Sequence, residues 1–440
     1  MPILHTLKSI ILDAQEAQEV QLDTGLPRRL DLQPVAKKAT VCIGVRRSGK
    51  STYMAQHIQR LLDGGVPRQN ILSLNFFDAR LHTLQQEGLD SILEAYYSLY
   101  PEKKGGETVY CFFDEIQVIE GWEPFVERLL RTERCEVYIT GSSAKLLSKE
   151  IATQMRGRAL AWEMFPFSFR ELLDLRGFAD PLVFSTRQRL LVQKAFDEYW
   201  EKGGFPEVTT LDRALRIKVH QEYFHTVMHK DVVERHDIAH PRAVIDLAHW
   251  LVDHAASTYT INSLTGYLQS LQHKVPKSSV ADYLTWLEDA YFFFTIQIFD
   301  ASPARRNVNP KKIYCIDHSL IASTSSGILI NSGHLLENLV FITLRREHSQ
   351  IYYYRTKGGR EVDFIVPVRK GVKSLVQVCE TLKDPQTEKR EIAALAEAMS
   401  ELRVESSTVV TRSEEKQITV DAGTISVVPV WRFLLLGAAG

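Results

Sequence analysis

Apolar and polar residues alternate along this chain in two different rhythms, and the change of rhythm marks its parts. The opening stretch, MPILHTLKSIILDAQ (1–15), spaces its apolar residues as a short amphipathic helix and shows no cleavable leader pattern. Up to about residue 175, short β-branched runs alternate with helical ones: TVCIGV (40–45), NILSLNFF (70–77), TVYCFFDEI (108–116) and CEVYITG (135–141). Such alternation predicts a parallel sheet flanked by helices. From 176 to 245 the spacing is helical, as in RQRLLVQKAFDEYWEKGG (187–204), with GGFP (203–206) forcing a turn. Residues 246–310 hold INSLTGYLQSL (261–271) and SSVADYLTWLEDAYFFF (278–294), a helix, turn and longer helix, then a polar connector, DASPARRNVNPKK (300–312). Strand-like runs return from 311 to 440 at KIYCID, IYYYR, EVDFIV, LVQVC, STVVT and ISVVPV, with the helix TEKREIAALAEAMSEL among them. The expected architecture is an α/β multidomain chain: 1–175 a parallel-sheet domain, 176–245 a helical region, 246–310 a winged-helix-like segment, and 311–440 a second α/β domain.

Composition narrows the classes without naming one. With 440 residues, 45% apolar and 24% charged, the chain suits several globular cores, and its net charge of −1 leaves any nucleic-acid surface to a local patch. The apolar cluster AYFFF (290–294) is far too short to cross a bilayer, so a cytoplasmic protein is expected. Cys42, Cys111, Cys135, Cys315 and Cys379 lack metal-ligand spacing and read as reduced, mostly buried thiols.

One motif changes the picture. GVRRSGKS, Gly44 to Ser51, follows a strand and opens the helical run TYMAQHIQRLL, and so matches G-x-x-x-x-G-K-[ST] in context. Gly44 and Gly49 let backbone N–H groups curl around phosphates, Lys50 reaches the β- and γ-phosphates, and Ser51, followed by Thr52, offers a hydroxyl to Mg2+. The strand TVYCFFDEI ends in Asp114, suited to the Mg2+ shell, and Glu115, suited to orienting or deprotonating the attacking water. The expected cofactors are therefore ATP and Mg2+. Ser142 or Ser143, after the strand EVYIT, is placed either to touch the γ-phosphate or water, or simply to cap a helix. Arg156 and Arg158 in MRGRA (155–159) are candidate transition-state charges, acting in cis or from a neighbouring subunit.

Together with NFFDARL (75–81), FFDEIQVIEGWE (112–123), PFSFREL (166–172), GGFPEV (203–208), KDVVERHDI (230–238), KIYCIDHSL (312–320), LENLVF (336–341), YYRTKGGREVDFIV (353–366) and LVQVCETLKD (375–384), these motifs resemble the archaeal-type AAA+ ATPases that carry a C-terminal domain of uncharacterised function. One departure is Phe77, where an acid often precedes Asp78; Asp78 and Arg80 are kept. The resemblance implies a P-loop AAA+ core, a helical and winged-helix-like middle, and a C-terminal domain of the restriction-endonuclease-like PD-(D/E)xK fold. In that fold, acids on a helix and two strands gather divalent ions and a lysine assists the water. Those positions fall on Glu337, Asp363 and Gln377, while Cys379 stands in the lysine position, two residues on and on the same strand face. A glutamine brings no charge and a cysteine no ammonium, so the pattern predicts a domain that has lost its metal chemistry.

A basic excess remains nearby. Arg345, Arg346, Arg355, Lys357, Arg360, Arg369, Lys370 and Lys373 face only Glu347, Glu361 and Asp363, which suits either a phosphate backbone or a solvated basic surface. The sequence thus supports an ATP-hydrolysing switch coupled to a DNA-binding C-terminal half. The alternatives are an ATP-gated metal-dependent nuclease and a signalling or scaffold ATPase that binds a protein partner or its own copies.

Overall fold

Fully buried β-branched runs bounded by polar turns need neighbours on both sides and cover on both faces, and a parallel sheet supplies both. In a computed structural model of the chain, residues 2–20, 22–82, 84, 88–142, 155–178, 185–329, 331–368 and 371–437 are described. The chain divides into two units, Met1–Met164 and Phe165–Gly440. The division falls eleven residues before the boundary expected at 175, because the helix of PFSFREL belongs to the second unit.

The first unit runs α1 (Pro2–Val20), β1 (Ala39–Ile43), α2 (Lys50–Asp63), β2 (Ile71–Asn75), α3 (Asp90–Leu99), β3 (Val109–Asp114), α4 (Trp122–Thr132), β4 (Cys135–Gly141) and β5 (Ala159–Glu163). The strands pair in parallel in the order β2-β3-β4-β1-β5. β4 therefore stands between β1 and β3, and in its register Thr140 lies beside both Cys42 and Asp114. α1 buries Ile3, Leu7, Ile10 and Ile11, the face its periodicity predicts. Its Gln15 donates to the carbonyls of Arg68 and Ile71, which ties the helix to the start of β2.

The second unit begins with helices α5 (Phe169–Leu175), α6 (Thr186–Lys202) and α7 (Arg213–Thr226), the last continued by a π-helical stretch, Val227–Glu234. Then come α8 (Pro241–Asp253), β6 (Thr258–Tyr259), α9 (Ile261–Ser270), α10 (Lys277–Asp289), β7 (Phe293–Ile298), α11 (Pro303–Val308) and β8 (Lys311–Cys315). β8 pairs antiparallel with both β6 and β7, so it completes this middle segment instead of opening the next. After α12 (His318–Thr324) follow α13 (Ser332–Glu347), β9 (Tyr352–Arg355), β10 (Glu361–Val368), β11 (Gly371–Val378), α14 (Pro385–Leu402), β12 (Ser406–Thr411), β13 (Lys416–Val420), β14 (Gly423–Pro429) and α15 (Val430–Leu436). The mixed sheet β13-β14-β12-β11-β10-β9 continues through β7, whose first half pairs with β8 and whose end pairs with β9. Val362, Ile365, Leu375, Leu395, Met399 and Val409 form the core beneath α14.

Candidate functional site

The carboxyl ends of β1, β3 and β4 meet on one edge of the first sheet, and the described candidate residues of the motifs, the two arginines excepted, are carried there. β1 delivers the chain into the loop 44–49. Gly44 has φ 155°, and a Cβ there would lie 2.1 Å from the carbonyl oxygen of Met164, so no side chain fits. Gly49, at φ 97°, turns the chain into α2. Lys50, the first residue of that helix, is buried and curls its ammonium back onto the carbonyls of Gly44 and Val45, at 3.0 Å each. The ammonium thus sits within the loop beside a helix N-terminus, an arrangement built for an anion. Ser51 is exposed and Thr52 half-buried on the following turn.

Asp114 ends β3 with its carboxyl taking hydrogen bonds from the hydroxyls of Thr140 and Ser51. Burial pushes its pKa up, and those two bonds oppose the rise. The two residues predicted to hold Mg2+ are therefore in mutual reach, and the donor set of a hydroxyl and a carboxylate fits a hard oxygen-seeking cation. Glu115 follows in the left-handed region at φ 56°. That conformation is costly outside glycine and recurs where a side chain must be aimed. Its backbone N–H is held by Thr140, at 3.2 Å from the carbonyl and 3.1 Å from the hydroxyl. Its carboxylate accepts from the Ser142 N–H at 3.3 Å, the Ser142 hydroxyl at 3.4 Å and the Gln117 amide. The structure so brings Gly44, Gly49, Lys50, Ser51, Asp114, Glu115 and Ser142 to one edge.

Arg156 and Arg158 are not brought there. Arg158 precedes β5, its carbonyl accepts from Ala39 N–H at 2.8 Å, and its guanidinium lies 3.9 Å from Glu127 on α4. Ala39 starts β1 and the phosphate loop ends it, so both arginines belong to the opposite edge of the sheet from Lys50. Geometry within this unit gives them no route to the γ-phosphate, so the expectation that they act in cis is corrected. Ser143 lies outside the described residues.

Three features of the site escaped the sequence. Thr140 couples Asp114 to Glu115 from the middle strand. Gln117 fixes the Glu115 carboxylate. The stretch before β1 also crosses α2: Gln56 donates to the carbonyls of Thr24 and Leu26 at 2.6 and 2.7 Å, and Arg28 donates to the Ser48 carbonyl inside the phosphate loop at 2.7 Å. Only the adjacency of ITGSS to a strand end hinted at Thr140; nothing in the residue pattern of 22–32 signalled a strap.

In the second unit the acids expected from the resemblance do gather, but around an ammonium. Lys312, on β8, points its Nζ at Glu337 Oε1 (3.1 Å), Glu361 Oε1 (2.9 Å) and Asp363 Oδ1 (2.9 Å), and is itself 5% exposed. Tyr314, two residues on and on the same strand face, donates to Glu337 at 2.8 Å. Gln377 turns elsewhere: its oxygen accepts from Asp363 N–H at 3.2 Å and its amide donates to Glu391 at 2.8 Å. Both ends of the Gln377 amide, the position that the resemblance gives to an acid, are thereby committed to protein groups. Cys379 lies just past the end of β11, and burial pushes its thiol up to about 12, so it stays a neutral thiol. Among the described residues no group of three or more His, Cys, Asp or Glu side chains stands ready for a metal ion.

The expected basic face is partly engaged among the described residues. Arg345 stacks over Phe165 and Phe294, and Arg346 donates to the Pro166 carbonyl at 2.7 Å. Arg355 pairs with Glu361, and Arg360 with Glu397. Lys357 stays exposed, Arg369 and Lys370 lie outside the described residues, and the Lys373 side chain is not described. The sequence counted charges that tertiary contacts had already matched.

A five-stranded parallel sheet of this order, with a phosphate loop after β1, paired acids after β3 and polar residues after β4, defines a P-loop ATPase of the AAA+ class. Residues 36–173 match the AAA domain family AAA_14, 193–328 a domain of unknown function (DUF8612), and 332–433 another (DUF4143). The chain is 32% identical to the uncharacterized protein MJ1544 of Methanocaldococcus jannaschii over 97% of this chain and 95% of that one, and it belongs to the same family of AAA-domain proteins. An uncharacterized protein of Haemophilus influenzae is 28% identical over 74% of this chain and 78% of its own. Among solved structures, Aeropyrum pernix ORC1 in complex with DNA is similar at TM-score 0.32 and 13% identity, covering 74% of this chain and 92% of that one. Aeropyrum pernix ORC2 (ADPNP–ADP complexes) is similar at TM-score 0.28 and 12% identity, over 77% and 93%. No helix among the described residues is long and apolar enough to cross a membrane.

Proposed function

We propose that the protein is a Mg2+-dependent ATP hydrolase whose nucleotide state sets the DNA affinity of its second unit. The observation that carries the hydrolytic half is the aimed Glu115, a left-handed residue whose carboxylate is fixed by Ser142 and Gln117 beside the Asp114–Ser51 pair. When bound, Mg2+ would neutralise phosphate charge and orient the β- and γ-oxygens. Ser51 and Asp114 would hold it. Lys50 would leave the Gly44 and Val45 carbonyls for phosphate oxygens, and the loop N–H groups would cradle them. Glu115 would take the proton of the attacking water, and the Ser142 hydroxyl would keep that carboxylate turned towards it.

The DNA-binding half rests on the element order over 241–315: helix, strand, helix, helix and two antiparallel strands with the short α11 between them, the second paired back to the first strand. This order supports the reading as a winged helix, with α10 as the helix that would enter a groove. Its exposed positions, Lys277, Ser278, Ala281, Asp282 and Thr285, suit phosphate contact at one end and little base reading. The 299–310 connector adds the exposed Arg305. The element order α13-β9-β10-β11-α14-β12 of the C-terminal mixed sheet supports the restriction-endonuclease-like reading; we assign it a binding role and no cleavage, because Lys312 occupies the space between its acids.

The test is ATP turnover by the full chain with and without duplex DNA, alongside DNA anisotropy in ATP and in ADP, with Lys50→Ala beside the native protein. We expect turnover that DNA accelerates, an affinity at least tenfold different between nucleotides, and both effects lost in Lys50→Ala. Turnover indifferent to DNA, with no shift in anisotropy, would instead favour a protein partner.

A further inference from the structure

The three carboxylates around Lys312 are more than an ion pair requires. One ammonium is matched by one carboxylate, yet oxygens arrive here from helix α13 (Glu337) and from two positions of strand β10 (Glu361 and Asp363). Burial makes that excess of negative charge expensive, so such a set persists only where a cation is always present. β10 is also bent to serve it. Its pairing with β9 shifts register between Val362 and Ile365, a bulge that spans Asp363 and re-aims its side chain, whose second oxygen is pinned by the Val378 N–H at 2.9 Å. The contacts at 2.9 to 3.1 Å are N–H···O distances, well beyond the roughly 2.1 Å of a Mg2+–oxygen bond, so the set is now spaced for an ammonium.

We propose that Lys312 is the resident cation of a divalent-metal site, a covalently tethered substitute that keeps the second unit metal-free. The inference rests on the non-cleaving role assigned above, and it does not depend on whether the unit binds DNA. Removing the ammonium leaves Glu337 and Asp363, the two acids shielded from solvent, with no counter-charge, while the more open Glu361 keeps Arg355. A divalent ion of the oxygen-seeking class, Mg2+ or Mn2+, restores the balance more completely than the single charge it replaces.

The test uses the full chain without nucleotide and titrates MnCl2 calorimetrically against the native protein, Lys312→Met, Lys312→Gln and Lys312→Met/Asp363→Asn. Ser51 and Asp114 are the same in all four, so any Mn2+ they take subtracts. The expected result is one additional Mn2+ per chain in both single variants, bound at least tenfold tighter than any native uptake and lost in the double variant. Thermal unfolding should rise with Mn2+ in the single variants and be indifferent to EDTA in the native protein. Single variants with native circular dichroism and no added Mn2+ site overturn the proposal. So do variants that no Mn2+ concentration restores to the native spectrum, because a true cation site is refilled by a cation. Native uptake of Mn2+ that Asp363→Asn abolishes overturns it as well, and Mn2+-dependent plasmid nicking lost in Lys312→Met would overturn it and the non-cleaving assignment together. Unchanged DNA anisotropy in Lys312→Met would leave the binding role standing whichever way the Mn2+ titration falls.

Discussion

Glu115 shows how a single backbone angle assigns a role. At φ 56° its carboxylate is delivered beside Ser142 instead of continuing the direction of β3, and Thr140 holds the turn in place. Glu115→Gln keeps the shape and hydrogen bonding of that side chain but cannot accept the water's proton. It should retain ATP affinity while slowing phosphate release at least tenfold, about 1.4 kcal/mol in barrier; normal turnover in a coupled phosphate assay would remove Glu115 from the mechanism. A second residue reports on pH. His220 is buried in α7 with Nδ1 2.9 Å from the Ser323 hydroxyl, and burial lowers its pKa to about 4. The unfolded chain therefore binds a proton near pH 6.5 that the folded chain refuses until about 4, so stability is intact above 6.5 and falls as pH drops through that window. The slope from this residue is at most one proton, about 1.4 kcal/mol per pH unit. Urea midpoints of His220→Gln measured from pH 4.5 to 7 should vary less steeply than those of the native protein.

At the scale of elements, close backbone approaches fix how loops join sheets and helices. Gly204, in GGFP, leaves α6 with its Cα so near the Phe167 carbonyl that a Cβ would lie 2.2 Å from that oxygen, while its N–H donates to Asp317 at 2.8 Å. Asp317 in turn caps α12 through the N–H groups of Ser319 and Leu320. Two segments distant in sequence thus share one carboxylate, and Gly204 joins them to a third through the Phe167 N–H on its carbonyl at 2.6 Å. Gly204→Ala should cost about 2–3 kcal/mol, read as a lower urea midpoint at unchanged m value. By contrast Ser168→Ala, which removes the capping box of α5, should cost only about 1 kcal/mol. If the two substitutions proved equally mild, the packing at Gly204 would have to be looser than its geometry requires.

For the whole molecule, the division into two units predicts how a ligand redistributes stability. If ATP with Mg2+ binds as proposed, through Lys50, Ser51 and Asp114 of the first unit, then at 100 times its Kd it should stabilise that unit by about 2.7 kcal/mol. Heating followed by hydrogen exchange should show α2, β1 and β3 protected and the sheet β9–β14 unchanged. Equal protection of both would mean that nucleotide binding is felt across the chain without DNA. How much of this was legible in the residues follows from the range of the forces involved. GVRRSGKS and FFDEI are local: a tight turn into a helix and a strand ending in acids are dictated by neighbours in sequence, so the phosphate site, the parallel sheet and the alternation of elements could be written down from the chain alone. What the tertiary structure decided is which distant groups meet. The order of the strands put Thr140 between the phosphate loop and the acids, and sent Arg156 and Arg158 to the far edge. Chain folding paired Arg360 with Glu397, an acid that a local charge count had set aside, and turned Gln377 away from the site its position suggested. The ammonium that meets Glu337 and Asp363 came from β8, some fifty residues before Asp363. Periodicity and motif spacing carry no information about such pairings, because the desolvation and Coulomb energies that select them depend on three-dimensional distance and not on separation along the chain.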